Sequence, residues 1–133
     1  MLVSWAAHRF SGISSPISPS YSTAELTRQL KAVKCKALFT CATLFSTALE
    51  AALAAGIPKA HVYLLEIPEK ALKGANVPTD IKSVDQLVAK GKELALLPQL
   101  KWSHGQGARQ TAFLCSSSGT SGLPVSFFRC LSI

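Results

Sequence analysis

The stretch "KALFTCATLFSTALEAALAAGIPKAHVYLLEI", Lys36 to Ile67, decides the fold. Its first five residues form a short apolar, β-favouring run, which reads as a buried strand. A helix is predicted over about Thr43 to Ala55, where Phe45, Ala48, Leu49, Ala52 and Leu53 share one side and Gly56, with Pro58 beyond, closes the segment. "HVYLLEI", His61 to Ile67, is the next strand. Two strands joined through a helix make a crossover unit, and crossover units build parallel sheets covered by helices.

Working outward, Ser22 stands three residues before Glu25 at the head of "TAELTRQLKAV". Hydroxyl and carboxylate at that spacing satisfy backbone donors at a helix start, and Leu26, Leu30 and Val33 give the helix an apolar stripe for a sheet. Before it, Pro16 and Pro19 keep "GISSPIS" extended, and the first ten residues suit a short helix with Leu2, Trp5, Ala6 and Phe10 on one face. Downstream, Pro68 to Lys82 reads as a polar loop, and Ser83 with Gln86 repeats the capping pattern before "VDQLVAKG", ended by Gly91. "LLPQLKWSHGQGARQ" is irregular, and "TAFLCS", Thr111 to Ser116, is the last strand. The expected fold is α/β, a mostly parallel open sheet with flanking helices.

Hydrophobic residues make up 48% of the chain and charged ones 16%, which excludes intrinsic disorder and demands a core or a partner surface. The formal charge of +7 raises nucleic acid as a partner. The ten lysines from Lys31 to Lys101 nevertheless stand as singles or loose pairs, with no basic block, so no nucleic-acid partner is expected. Cys35, Cys41, Cys115 and Cys130 form no CxxC pair, which disfavours zinc and redox sites and suits reduced thiols in an intracellular compartment. "LFSTALEAALAAG" is too short to span a bilayer and is interrupted by Glu50, so no transmembrane segment is expected. A soluble protein is the expectation, with cytoplasm and peroxisome both open.

Beyond the last strand lies "SSGTSGLP". Ligands of open parallel sheets bind past the carboxyl ends of strands. Gly119 and Gly122 let the backbone approach a ligand closely, while Ser117, Ser118, Thr120 and Ser121 add hydroxyl donors, a combination that suits a phosphate chain. No Gly-Lys pair of a Walker A loop is present, and Gly119 to Gly122 is one residue short of a nucleophile elbow. His8, His61 and His104 lack metal-ligand spacing; Glu66, Glu69 and Asp80 fit polar loops; Trp5 and Trp102 read as packing aromatics. No catalytic residue and no metal ligand is assigned.

Ser117 to Pro124, together with "SWAAHRFSGISSPISPSYSTAELTRQLKAVKCKALFT", resembles the AMP-forming acyl-CoA synthetases, the adenylate-forming superfamily, most closely its 4-coumarate:CoA ligase-like members. The resemblance runs from Val3 to Pro124. It implies an enzyme that activates a carboxylic acid with ATP and Mg2+ to an acyl-adenylate and pyrophosphate, after which the thiol of CoA attacks the acyl carbon. It implies that Ser117, Ser118, Gly119, Thr120, Ser121, Gly122, Leu123 and Pro124 bind the ATP phosphates.

Two departures accompany the resemblance. Ser18 replaces the asparagine of the family's turn, and Val125 stands where the family places lysine followed by glycine and a strand. Residues 1–124 therefore read as part of one N-terminal subdomain, and residues 125–133 as an unrelated tail. Val125-Ser126 can be encoded by GTGAGT, the start of a consensus intron, so translated intron is the expected origin of the tail. The family's regions for adenine, ribose, magnesium, the acyl group and the C-terminal lysine have no counterpart here. The chain alone is expected to be an inactive fragment that binds no cofactor tightly and self-associates through exposed apolar surface. A non-catalytic α/β interaction module, or a pseudo-enzyme remnant, is the alternative.

Overall fold

The computed structural model describes residues 2–72, 76, 78–116 and 126–130, with the backbone alone at 69, 71 and 126–130. Its elements in chain order are α1 (Leu2–Arg9), α2 (Thr23–Ala32), β1 (Leu38–Thr40), α3 (Phe45–Ala54), β2 (Val62–Leu64), α4 (Glu69–Leu72), α5 (Val84–Gly91), α6 (Gln106–Arg109), β3 (Thr111–Ser116) and β4 (Ser126–Cys130). They fall into two compact units, one spanning residues 19–96 and the other combining residues 1–18 with 97–133. The fold is mixed α/β, helices with a small parallel open sheet, as the crossover pattern predicts.

In residues 19–96, β1 and β2 pair in parallel, Leu38 opposite Val62, Phe39 opposite Tyr63 and Thr40 opposite Leu64, with α3 as the crossover. The Phe39 and Tyr63 rings stack at 5.0 Å, the cross-strand contact that the register creates. Leu30 of α2, Ala48, Ala51 and Ala52 of α3, Ile57, Val62, Leu64 and Ile81 form the buried core. The helix face differs from the expected one: Ala51 is buried and Leu53 is 54% exposed. Alanines bring α3 close to its neighbours, and a leucine would hold it off.

Both strands are shorter than their apolar runs: Lys36 and Ala37 precede β1 outside the strand, while His61 closes a 310 turn before β2 and Leu65 to Ile67 follow it outside the strand. Both capping boxes form. The Ser22 N–H donates to Glu25 Oε2 at 2.9 Å, and the Glu25 N–H donates to Ser22 Oγ at 3.4 Å. At α5 the Ser83 N–H donates to Gln86 Oε1 at 3.1 Å, and the Gln86 N–H donates to Ser83 Oγ at 3.2 Å. The polar loop before α5 contains α4, and Leu64 donates its N–H to the Lys82 carbonyl at 3.0 Å, so the loop returns along β2.

Three helices end in the same reversed-bond motif. After α3, Gly56 (φ 82) donates to the Leu53 carbonyl at 3.0 Å and Ile57 to that of Ala52 at 2.8 Å. After α2 the left-handed position is Lys34 (φ 51), and after α1 it is Ser11 (φ 57). Gly91 closes α5 without entering that region.

In the other unit, β3 pairs antiparallel with β4 over Thr111 to Ser116, with an irregularity between Thr111 and Phe113. On its other edge Ser14 forms a parallel bridge to Phe113, so the extended segment "GISSPIS" does reach a strand. The apolar stripe of α1 stays uncovered among the described residues: Leu2, Trp5, Ala6 and Phe10 are exposed, Trp5 by 62%. The expectation of Trp5 as a packing aromatic is thereby corrected; α1 turns His8, not the stripe, toward β3. Among the described residues no helix is long and apolar enough to cross a membrane.

Candidate phosphate-binding site

Ser117 to Pro124 lie outside the described residues, and the described structure is the stem on which that segment is mounted. β3 ends at Ser116, and its cross-strand partner there is Ser126, so residues 117–125 connect two opposed strand ends. The stem is an antiparallel pair and not the end of a purely parallel strand.

β3 is anchored by residues about a hundred positions away in sequence. The Ser14 N–H donates to the Ala112 carbonyl and the Leu114 N–H to the Ser14 carbonyl, both at 2.9 Å. A carbonyl only accepts, so His8 Nε2 carries the proton that reaches Ala112 O at 2.9 Å. The same imidazole stands edge-on to Phe113, with ring centroids 4.8 Å apart at 88°. Ser15 Oγ donates to the Leu114 carbonyl at 2.9 Å, and Gln110 Nε2 donates to the Ser11 carbonyl at 3.2 Å. Arg9 bonds the carbonyls of Leu97, at 3.1 Å, and of Pro98. Ala112 is buried at the centre of these contacts.

These contacts hold the strand that leads to residue 117. His8, which lacks metal-ligand spacing in the sequence, acts as a strut for β3. Ser14 and Ser15 went unassigned, because pairing across so long a separation leaves no local pattern.

The titratable groups elsewhere serve structure. Hydrogen bonds from Ser22 hold the Glu25 carboxyl below its ordinary range, and the hydrogen bond from Lys59 does the same for Asp80. Burial pushes the Cys35 thiol up, and Cys35, Cys41 and Cys115 are free thiols. Among the described residues no three His, Cys, Asp or Glu side chains converge.

The AMP-binding enzyme family profile matches residues 1–124. Acyl-CoA ligase cm3C of Cordyceps militaris is 42% identical over 123 residues, covering 91% of this chain and 19% of that protein. Acyl-CoA ligase easD of Emericella nidulans is 41% identical over 118 residues, covering 89% of this chain and 21% of that protein. AMP-dependent ligase vlmC of a Lecanicillium species is 26% identical over 126 residues, 92% of this chain and 21% of that one. The chain thus spans about one fifth of the length of the curated relatives it matches. Since a single profile runs from residue 1 through the glycine-serine loop to residue 124, the chain belongs to the AMP-binding enzyme family.

Proposed function

We propose that this chain is part of an AMP-forming acid:thiol ligase, in which Ser117 to Pro124 hold the β- and γ-phosphates of ATP. The observation that carries the reading is the braced stem. Within the stretch matched to the family, β3 is bridged to Ser14 and hydrogen-bonded by His8 and Ser15, so residue 117 follows a braced strand end. Backbone amides and hydroxyls there would position the phosphates for in-line attack of a carboxylate on the α-phosphorus, releasing pyrophosphate, and CoA thiol would then displace AMP from the acyl-adenylate. The loop groups position and stabilise charge; none acts as nucleophile or base.

By this reading the 133-residue chain alone does not turn over. A few amide and hydroxyl contacts must offset an ordering cost of several kcal/mol, so ATP binds weakly. Residues 125–133 are proposed to be unrelated to the ligase, with translated intron as their origin. The family match stopping at 124 supports this, and β4 shows that the tail nevertheless pairs with β3. Two measurements test the account. ATP should slow protease cleavage within residues 117–124, and equal cleavage with and without ATP would overturn the phosphate role. Transcripts spliced after codon 124 should continue with Lys-Gly; transcripts that only read through as Val-Ser would overturn the intron origin.

A second reading, a non-catalytic interaction module, is favoured by the exposed Trp5 and by Leu96, which is 97% exposed.

A further inference from the structure

A cleft of about 440 Å³ opens where α2 and α3 both end, at the amino-terminal side of β1 and β2. Lys31, Lys34, Lys36 and His61 line it against an apolar wall that includes Leu30 and Ile57, and no carboxylate contributes to its lining. Leu30 and Ile57 are buried, whereas the lysines and His61 are exposed at the rim. Among the described residues the one ion pair joins Lys59 to Asp80, so none of the three lysines is neutralised by an acid.

The bland account of these lysines is that they answer the negative ends of the two helices. Magnitudes decide against it as a full account. Each helix carboxyl end carries roughly half a negative charge, so two supply about one. The reversed bonds onto the carbonyls of Leu30, Lys31, Ala52 and Leu53 already occupy part of that potential. Three lysines exceed it by about two positive charges. A concave site with one sign of charge and apolar walls focuses its field on a counter-ion. A phosphate monoester carries about −1.5 to −2 at neutral pH, which matches the excess.

We propose that this cleft binds a small organic phosphate, its phosphate on Lys31, Lys34 and Lys36 and its apolar body against Ala55 and Pro58, the accessible apolar side chains of the lining. The site is separate from Ser117 to Pro124 and does not depend on the ligase reading.

Phenyl phosphate and inorganic phosphate, titrated into the full chain at neutral pH with amide resonances as the readout, test it. Phenyl phosphate should shift the amides of Lys36, Ile57 and His61 and bind severalfold more tightly than inorganic phosphate. The variant Lys31→Gln/Lys34→Gly/Lys36→Gln should bind at least about tenfold more weakly. Lys34→Gly alone separates binding from folding, because glycine suits the left-handed backbone at that position (φ 51): it should weaken binding while raising the unfolding midpoint. Three results would each overturn the proposal: still amides around the cleft, undiminished binding by the triple variant, or inorganic phosphate binding as tightly as phenyl phosphate. Shifts confined to Gly119 and Gly122 would also overturn it, by assigning phosphate to the loop alone.

Discussion

Gly56 and Lys34 occupy equivalent left-handed positions after two helices, and only the first carries the residue that the backbone prefers. A Cβ on Gly56 would meet nothing within 4 Å, so the cost of Gly56→Ala is conformational: about 1 kcal/mol of lost stability, read from the urea midpoint. Lys34→Gly should gain up to about 1 kcal/mol in the same assay, the opposite sign at the same backbone geometry. Glu25 sets an acid limit on α2. Its folded carboxyl titrates below its ordinary value because Ser22 donates to it. Its contribution is therefore complete above the ordinary value and fades as pH falls through the lower, folded one. Stability measured from neutral to acid pH should fall less steeply for Glu25→Gln than for the parent, and equal slopes would contradict the assignment.

At the scale of elements, legibility followed the range of the signal. The Ser22–Glu25 and Ser83–Gln86 spacings located α2 and α5, and "VDQLVAKG" and "TAFLCS" match α5 and β3 end to end. Ser83→Ala should cost about 1 kcal/mol, since it orphans a helix donor, with the midpoint of thermal unfolding as the check. The shorter α6 escaped notice, although Gln106 Oε1 accepts from the Ser103 N–H at 3.0 Å, half of the same capping pattern. Apolar runs overstated β1 and β2, because hydropathy does not mark where a strand ends: Lys36, Ala37 and Leu65 to Ile67 lie outside the strands and His61 closes a 310 turn. What could not be read was long-range: Ser14 against β3, His8 under Ala112, and β4 beside β3. β3 was legible as a strand, while the pairing that braces it was not, and Ser117 to Pro124 lie outside the described residues. His8→Ala should remove one of the two hydrogen bonds to the Ala112 carbonyl and speed hydrogen exchange of the Leu114 amide by about tenfold; an unchanged rate would show that His8 does not brace the strand.

For the molecule as a whole, composition promised more burial than the described residues deliver. Trp5, Phe10 and Leu96 remain open to solvent, and the chain spans about one fifth of the length of its relatives. Concentration-dependent self-association is expected in sedimentation velocity, reduced in Trp5→Glu and in Leu96→Glu; a single monomeric species at every concentration would count against it. We propose two distinct phosphate-binding surfaces, the basic cleft and the glycine-serine loop, of which the loop defines the ligase reading. The most direct test of that reading is an ATP titration of the full chain followed at the amides of Gly119 and Gly122. The account predicts weak, saturable shifts at both glycines that persist when Lys31, Lys34 and Lys36 are neutralised; glycine resonances that stay in place up to saturating ATP would contradict it.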